Sequence, residues 1–456
     1  DDRYGWGYLT GKDGKAVTQD SDEGLRVYHR YKTKYAGKEI DEKKLIPVEQ
    51  REYRMWKKAQ GFIEGATEGI DINRQYGFLK SVSEADSILV KAMGKPIYNG
   101  HQLDSFVPNN NAEKKAKNMI FDILKRNNVL DATGQDLIAN IKFFINDSET
   151  KLRNVQTPPK NYRLEVTGDD EYNFSARNYG SPDVMGQRPD HGTHVGGIVG
   201  AVRNNGKGID GVADNVLLMP LLVVPDGDEH DKDIALGIRY AVDNGAKVVN
   251  MSFGKSFSPG KQWIDDAVEY AQKKGVLLVH AAGNEAKDLD ADGNDSYPNQ
   301  RLINGKWATN WITVGASGDP KLGTIAAPFS NYGKKNVDVF APGMSIYSTL
   351  PGGNVYGFNQ GTSMAAPVVS GIAALLKSYF PALTPEQLKM IIEKSVVVPD
   401  YKTPKPGAGE GEAMVNLADL SKTGGIVNAY NAVKMAYEMT AGKKTSGPKA
   451  KPSKGK

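Results

Sequence analysis

The sequence predicts an α/β fold with three layers, in which helices cover both faces of a mainly parallel central sheet. Short apolar runs alternate with amphipathic stretches over the second part of the chain, and polar residues bound the runs. Buried strands that alternate with helices are typical of parallel sheets covered on both faces. In such sheets the functional site lies at the carboxyl ends of the strands. The five runs are Val216–Val224, Lys247–Met251, Val276–Ala282, Trp311–Ala316 and Val337–Ala341.

Helical periodicity predicts helices on either side of these runs and before them. Two long charged helices are expected early in the chain, the first broken at Pro47, and Thr384 is expected to cap a later helix. The predicted helices are Ile40–Ala66, Ala112–Asn127, Asp233–Asn244, Lys261–Lys274, Thr384–Lys394 and Asn428–Met439.

Composition divides the chain into four parts. Residues 1–20 read as a loop, a short strand near Trp6 and a second loop. Residues 21–165 are rich in Glu and Lys and contain no catalytic motif, so they predict a mostly helical insertion on the surface of a domain. Residues 166–440 form the α/β core, and the basic tail 441–456 is expected to be disordered.

Charge and cysteine content exclude several classes of protein. The net charge of +4 is small and no basic recognition motif is present, so the sequence does not favour nucleic-acid binding. The absence of cysteine excludes disulfides, thiolate metal sites and a cysteine nucleophile. No run of ~18 apolar residues is present, and the sequence therefore predicts no transmembrane helix.

The first candidate site residue is a serine at the start of an apolar helix. Ser363 lies between Gly361 and Pro367, and the following stretch Val368–Phe380 is apolar on nearly every side. Unpaired N–H groups at the start of a helix can stabilise a developing negative charge. Ser363 is thus placed as a nucleophile needs to be, although a serine that caps a helix gives the same pattern.

A histidine and an asparagine complete the set of candidates. His191 begins a second helix of small and apolar residues, and Asn284 follows a buried strand, where its amide can donate to an oxyanion. His191 and His194 are one residue short of the spacing of a zinc-binding helix and no acid lies between them, so a metal pair is not favoured. A turn residue after a glycine remains the alternative for Asn284.

With these motifs in the order His, Asn, Ser, the chain resembles the subtilisin-like serine proteases over residues 186–440. The resemblance implies that Ser363 attacks a peptide carbonyl and that His191 accepts and returns the proton. It also implies that Asn284 and the Ser363 N–H bind the oxyanion. Further matching motifs are Asn250–Gly254, Phe329–Gly333, Asp338–Gly343 and Gly425–Asn428.

The resemblance further implies two walls of a specificity pocket for the substrate. Phe253 replaces the usual aliphatic residue in one wall, and we expect its side chain to point into the core. The six wall residues are Ser252, Phe253, Gly254, Ala281, Ala282 and Gly283.

Two acidic segments have open interpretations. The loop Pro225–Asp233 contains five acids and is hypothesised to favour basic substrate residues before the scissile bond, with a solvated loop as the alternative. Asp288, Asp290 and Asp292 have the opening spacing of a calcium loop, but the closing glutamate is absent. The sequence therefore predicts no required cofactor and leaves calcium open.

The acid of the catalytic triad is missing from the matching segments. Asp131, Asp169 and Asp170 are poor matches, because none follows an apolar strand in the expected way. The segment around Trp6 resembles the stretch that follows the catalytic aspartate in relatives. We therefore hypothesise that the chain is the large fragment of a processed protease and that a short N-terminal fragment carries the aspartate.

The expected function is that of a serine endopeptidase with a polypeptide substrate. By resemblance, its expected location is secreted, periplasmic or at the cell surface. The alternative is a catalytically silent subunit with the same fold in a cell-envelope complex, with the helical insertion and the basic tail as docking surfaces.

Overall fold

The structure is a computed structural model, and contacts between residues divide it into two compact units. A core unit comprises Asp1–Glu23 and Lys160–Lys456, and a helical unit comprises Gly24–Pro159. The helical unit begins and ends a few residues inside the predicted insertion, 21–165. The predicted tail lies outside the described residues from residue 445 onward. The structure describes residues 5–127, 129–186, 189–319, 324–409 and 414–444.

The core unit contains the strands and the helical unit contains most of the early helices. The strands are β1 Trp6–Gly7, β2 Leu221–Leu222, β3 Val248–Met251, β4 Leu277–Ala281, β5 Trp311–Ser317, β6 Val339–Pro342, β7 Ile346–Leu350, β8 Val355–Asn359, β9 Thr403–Pro404 and β10 Met414–Val415. The early helices are α1 Glu23–Tyr35, α2 Pro47–Thr67, α3 Ile72–Met93, α4 Gly100–Ser105, α5 Asn111–Arg126 and α6 Gly134–Gln156. The helices of the core unit are α7 Tyr162–Thr167, α8 Asp190–Gly200, α9 Asp231–Asp243, α10 Lys261–Lys273, α11 Thr362–Tyr379, α12 Pro385–Lys394 and α13 Ala429–Lys444.

The central sheet is parallel, with the strand order β3-β4-β5-β6. Alternate residues of β4 face opposite layers: Leu277 and Val279 pack with α11, α12 and α13, whereas Leu278 packs with α9 and α10. Strand side chains alternate between the two faces of a sheet, and here both faces are covered. The predicted three-layer α/β/α fold is therefore confirmed.

The strands differ in how completely they are buried. All residues of β4 and β5 are buried, but three of the four residues of β3 and both residues of β2 are only partly buried. Within the described residues, β3 pairs with β4 alone, and β2 pairs with β1 in a separate two-stranded parallel sheet. The predicted run Val216–Val224 is thus a strand over two residues only, after Pro220, which has no N–H to donate.

Local sequence explains where the helices begin. Pro47 does not interrupt a helix but starts α2, because the N–H that proline lacks would have no partner at this position. Thr384 caps α12 as predicted, with its side chain accepting from Gln387 N. Within the described chain, no helix combines the length and apolar character needed to cross a membrane.

Candidate active site

Ser363 is the second residue of α11, and its surroundings follow from a proline in the same helix. Pro367 cannot donate to the carbonyl four residues earlier, which belongs to Ser363. That carbonyl accepts instead from Ser252 Oγ at 2.8 Å, and Ser363 Oγ donates to the Ser252 carbonyl at 3.2 Å. The start of α11 is therefore tied to the chain just after β3, at the carboxyl end of the sheet, where ligands bind in α/β proteins.

Asn284 lies next to Ser363 because of a third residue, Thr362. The Asn284 side-chain oxygen accepts from Thr362 N at 2.8 Å and from Thr362 Oγ1 at 3.0 Å. Thr362 Oγ1 also accepts from Gly283 N at 3.0 Å. The amide nitrogen of Asn284 has no acceptor among the described residues, and the residue is exposed. A free donor thus stands beside the candidate nucleophile, which is the arrangement that an oxyanion site needs.

His191 is the second residue of α8, and this helix packs against α11. Loss of surrounding water lowers the pKa of His191 below its ordinary value of 6.5, the negative charge of Asp190 opposes this shift, and His194 adds to it. Neither ring nitrogen of His191 makes a hydrogen bond with a described residue, and Ser363 Oγ donates to Ser252 rather than to His191. The structure therefore places the candidate base on a neighbouring helix without joining it to the serine.

The second histidine of the motif, His194, has a structural role. His194 is fully buried, and its Nε2 lies 3.1 Å from the Ile346 carbonyl and 3.2 Å from the Gly357 carbonyl. Its own carbonyl accepts from Ser348 Oγ at 2.7 Å. His194 thus anchors α8 to the hairpin of β7 and β8.

None of the three weak candidates for the triad acid is bonded to His191. Asp169 is buried and lies 2.6 Å from Lys232 Nζ and 2.8 Å from Arg163. Asp131 has a side chain that is 99% exposed. The Asp170 side chain accepts from Tyr172 N at 3.0 Å, and the Asp170 carbonyl accepts from Lys232 Nζ at 2.9 Å. The carboxylate of the triad is therefore not found among the described residues.

The residues of the predicted pocket walls lie where β3 and β4 end. Ala281 and Ala282 are buried, and Phe253 packs with the apolar cluster between the sheet and α9 and α10. A Cβ on Gly254 would lie 3.2 Å from Ser296 Oγ and within van der Waals range of the Tyr297 carbonyl. Ser296 therefore borders this wall, a neighbour that the sequence pattern did not indicate.

The prediction of an exposed acidic loop over Pro225–Asp233 is wrong for the second half of that segment. Residues Glu229–Asp233 are buried, and four of them, His230, Asp231, Lys232 and Asp233, take part in internal ion pairs. Arg163 binds Asp233 with two nitrogens at 2.8 and 2.6 Å, and its other contacts include Asp169. Buried carboxylates need such partners because desolvation of an unpaired charge is costly. These carboxylates cannot act as an exposed acidic surface for a basic substrate.

The network of ion pairs at the start of α9 also holds Asp20 and Glu23, which lie in the last part of the core unit before the helical unit begins in sequence. Lys255 Nζ lies 2.7 Å from Glu23 and 2.9 Å from Asp231, and His230 lies 2.8 Å from Asp20. Charges from several distant parts of the chain thus meet at the start of α9. Sequence spacing gave no sign of this network, because its members are far apart along the chain.

The three aspartates with calcium-loop spacing make hydrogen bonds of their own. Asp288 Oδ1 accepts from Asp290 N at 3.0 Å, and Asp290 accepts from Lys335 N and Asn336 N. In the part of the chain that the structure describes, no group of three or more His, Cys, Asp or Glu side chains is arranged to hold a metal ion. Calcium binding at Asp292 and its neighbours stays a prediction.

Comparison with known proteins identifies the family of the chain. The profile of the Subtilase family matches residues 73–428, which is well over half of the chain. The chain belongs to the subtilase family. It is 39% identical over 208 residues to the Thermophilic serine proteinase of Bacillus sp. (strain AK1), a match that covers 45% of this chain and 46% of that protein.

Two further relatives of this subtilase come from Bacillus subtilis (strain 168). The Cell wall-associated protease is 35% identical over 267 residues, which cover 58% of this chain and 27% of that protein. The Major intracellular serine protease is 38% identical over 209 residues, which cover 45% of this chain and 61% of that protein. The matched part of this subtilase thus spans between about a quarter and about three fifths of the length of these relatives.

Proposed function

We propose that this subtilase is a serine endopeptidase, in which Ser363 is the nucleophile, His191 the general base and Asn284 the oxyanion donor. The observation that supports this most strongly is the hydrogen bond from Thr362 N to Asn284, which sets a free amide donor beside Ser363. A positioned donor of this kind stabilises the tetrahedral intermediate of acyl transfer. Serine attack gives an acyl-enzyme, and water then releases the acid. The substrate is a polypeptide, and the pocket walls after β3 and β4 receive the side chain before the scissile bond.

We further propose that a separate short strand supplies the triad acid, so that this chain is the large fragment of a processed protease. Partial exposure of β2 and β3, with one edge of β3 unpaired among the described residues, supports the addition of a strand. An added strand would pair with the free N–H and C=O groups of that edge and bury the apolar side chains there. Its final residue would then lie at the carboxyl end of the sheet, on the side of His191.

One experiment tests the nucleophile and a second tests the separate strand. A fluorophosphonate probe should label the full chain at Ser363, and Ser363→Ala should abolish labelling. Mass spectrometry of the native protein under non-denaturing conditions should then find a second short chain with an apolar segment that ends in aspartate. Full activity of a preparation that contains this chain alone would exclude the separate strand.

A catalytically silent subunit of a cell-envelope complex is the second candidate. One observation favours it: His191 has no hydrogen-bonded carboxylate among the described residues. If the native complex, with every bound chain retained, fails to react with the probe while the fold stays intact, the silent role is correct. Rapid labelling of the native complex excludes it.

We also propose a location outside the cytoplasm, either secreted, periplasmic or at the cell surface. The Cell wall-associated protease supports this location, whereas the Major intracellular serine protease shows that its family also acts inside cells. Fractionation of the source organism with antibodies against this chain tests the proposal. Recovery in the cytoplasmic fraction alone would exclude it.

A further inference from the structure

Asn331 is a buried asparagine whose side chain bonds to the loop that contains Asn284. Only 1% of its surface is exposed, and it lies in the segment after Pro328 that packs beside the end of β4. Its amide nitrogen donates to the Ala282 carbonyl at 2.9 Å and to Glu285 Oε2 at 2.6 Å. Its amide oxygen accepts from Lys287 N at 2.8 Å and from Glu285 N at 3.2 Å. One side chain thus makes four hydrogen bonds within a six-residue stretch.

The backbone of the same residue adds a fifth contact. Asn331 N donates to the Gly283 carbonyl at 2.9 Å. Positions 282, 283, 285 and 287 are therefore all fixed by Asn331, and the only residue among 282–285 that it does not bind is Asn284. The loop is held on both sides of Asn284, while the Asn284 side chain projects from it to Thr362.

Only an amide fits this position. The bonds require a donor on one side and an acceptor on the other, and asparagine supplies both in one plane. The fit is close, since a Cβ on Gly283 would lie 2.4 Å from Asn331 Nδ2 and 2.7 Å from Glu285 Oε2. Gly283 has a φ of 103°, a conformation that favours glycine. An aspartate at position 331 would keep the acceptor, lose the donor and face the Glu285 carboxylate, so the loop would shift.

We propose that Asn331 is a positioning residue that holds Asn284 at the place of the oxyanion. This inference rests on the proposed peptidase function. Asn331 does not itself touch the substrate, and it acts by fixing the backbone from which Asn284 projects. An oxyanion donor is effective only when it lies about 2.7–3.1 Å from the developing charge, so a small displacement removes most of its contribution.

A set of four variants of the full chain, in its native complex, tests this role: Asn331→Asp, Asn284→Ala, the double variant, and Asn310→Asp. The last is a matched control, because Asn310 is fully buried and donates to the Val276 carbonyl at 3.0 Å but makes no bond to the loop 282–287. For each variant we would measure kcat, KM, the rate of fluorophosphonate labelling and the melting temperature. Asn331→Asp should lower kcat and the labelling rate by about 10²-fold, with KM changed by less than about threefold.

The double variant gives the decisive comparison. If Asn331 acts through Asn284, adding Asn331→Asp to Asn284→Ala should lower kcat by less than about threefold further. Asn310→Asp should lower the melting temperature to a similar extent as Asn331→Asp while retaining kcat. The positioning role would be overturned if the losses of kcat in Asn331→Asp and Asn284→Ala multiply in the double variant. It would also be overturned if Asn310→Asp loses as much kcat as Asn331→Asp.

Failure of the proposed peptidase function can be distinguished from failure of the positioning role. If the parent protein neither cleaves peptides nor reacts with the probe, the peptidase proposal fails, and the crystal structure of Asn331→Asp then tests the positioning role alone. The contact between Asn284 Oδ1 and Thr362 N, 2.8 Å in the parent chain, should be lost in that variant. An unchanged contact would overturn the inference whatever the activity.

Discussion

The core unit has two halves. We call the half around β4, β5 and α11 the complete half and the half around β2, β3 and α8 the incomplete half. In the half around β4, β5 and α11, every strand residue is buried, Ser363 is hydrogen-bonded to Ser252, and Asn284 is hydrogen-bonded to Thr362. In the half around β2, β3 and α8, the strands are partly exposed and His191 makes no hydrogen bond to a described residue. Among the described residues, hydrogen bonds hold the candidate nucleophile and the candidate oxyanion donor in place, but none holds the candidate base.

Strand pairing accounts for this difference. A strand with two neighbours exposes little of its backbone, whereas an edge strand presents a row of unpaired N–H and C=O groups. Because β3 has one partner in the described chain, the adjoining half lacks the packing that a further strand would supply. The separate strand proposed above would supply both a second neighbour for β3 and a carboxylate for His191.

Removal of the nucleophile should have the largest effect on the complete half. Ser363→Ala should reduce peptide hydrolysis by about 10⁴-fold or more, because in the proposed mechanism the acyl-enzyme forms on Ser363 Oγ. Ser370→Ala is the matched control in the same helix, since the one acceptor of Ser370 Oγ among the described residues is Asn250 Oδ1, at 2.9 Å. It should cost about 1 kcal/mol of stability and leave labelling at Ser363 intact. Hydrolysis retained in Ser363→Ala would remove this serine from the mechanism.

Removal of the oxyanion donor should have the next largest effect. Asn284→Ala should lower kcat by about 10²–10³-fold with little change in KM, which is the range known for a single donor in a related enzyme. Steady-state kinetics on a peptide substrate measures both constants. Asn244→Ala, at an exposed helix end, is the control and should retain kcat. A rise in KM without a fall in kcat would instead assign Asn284 to substrate binding.

The buried histidine of β4 should make the complete half sensitive to acid. His280 is 1% exposed and its Nε2 lies 2.8 Å from the Phe253 carbonyl, and burial lowers the pKa of His280 to about 4. The unfolded chain takes up this proton below pH 6.5, whereas the folded chain does so only near pH 4. The stability of the parent should therefore fall by about 3 kcal/mol more than that of His280→Gln between pH 7 and pH 4. Denaturant unfolding of both proteins measures this difference, and parallel pH curves would contradict it.

The pH profile of labelling should report on the incomplete half, with the smallest effect. A general base must be neutral, so the labelling rate should fall at low pH as His191 takes up a proton; this fall is the acid limb of the profile. Because the pKa of His191 is lowered, the acid limb should lie below pH 6.5 for this chain alone. A carboxylate added beside the imidazole stabilises its charged form and moves the limb to higher pH. Asp190→Asn removes the negative charge that opposes the shift and should move the limb further down. An identical limb with and without the native partner chains would show that no carboxylate is added.

The sequence predicted the layers of the fold because hydrophobic periodicity depends on near neighbours. It placed the central strands, the start of α12 and the helix that follows Ser363, and its motifs identified His191 and Asn284 as candidates. It did not predict the burial of Glu229–Asp233, because the partners of these charges come from distant segments. It also overestimated the strand near Leu221, whose length depends on a neighbour rather than on its own residues.

Sequence by itself determined that Ser363 begins a helix and that Pro367 leaves its carbonyl free, since both follow from local backbone chemistry. Only the tertiary structure decided that Ser252 fills that free position, that Thr362 brings Asn284 to the serine, and that Asn331 holds the loop. The physical reason is that hydrogen bonds between distant segments depend on geometry in three dimensions, which no spacing along the chain specifies.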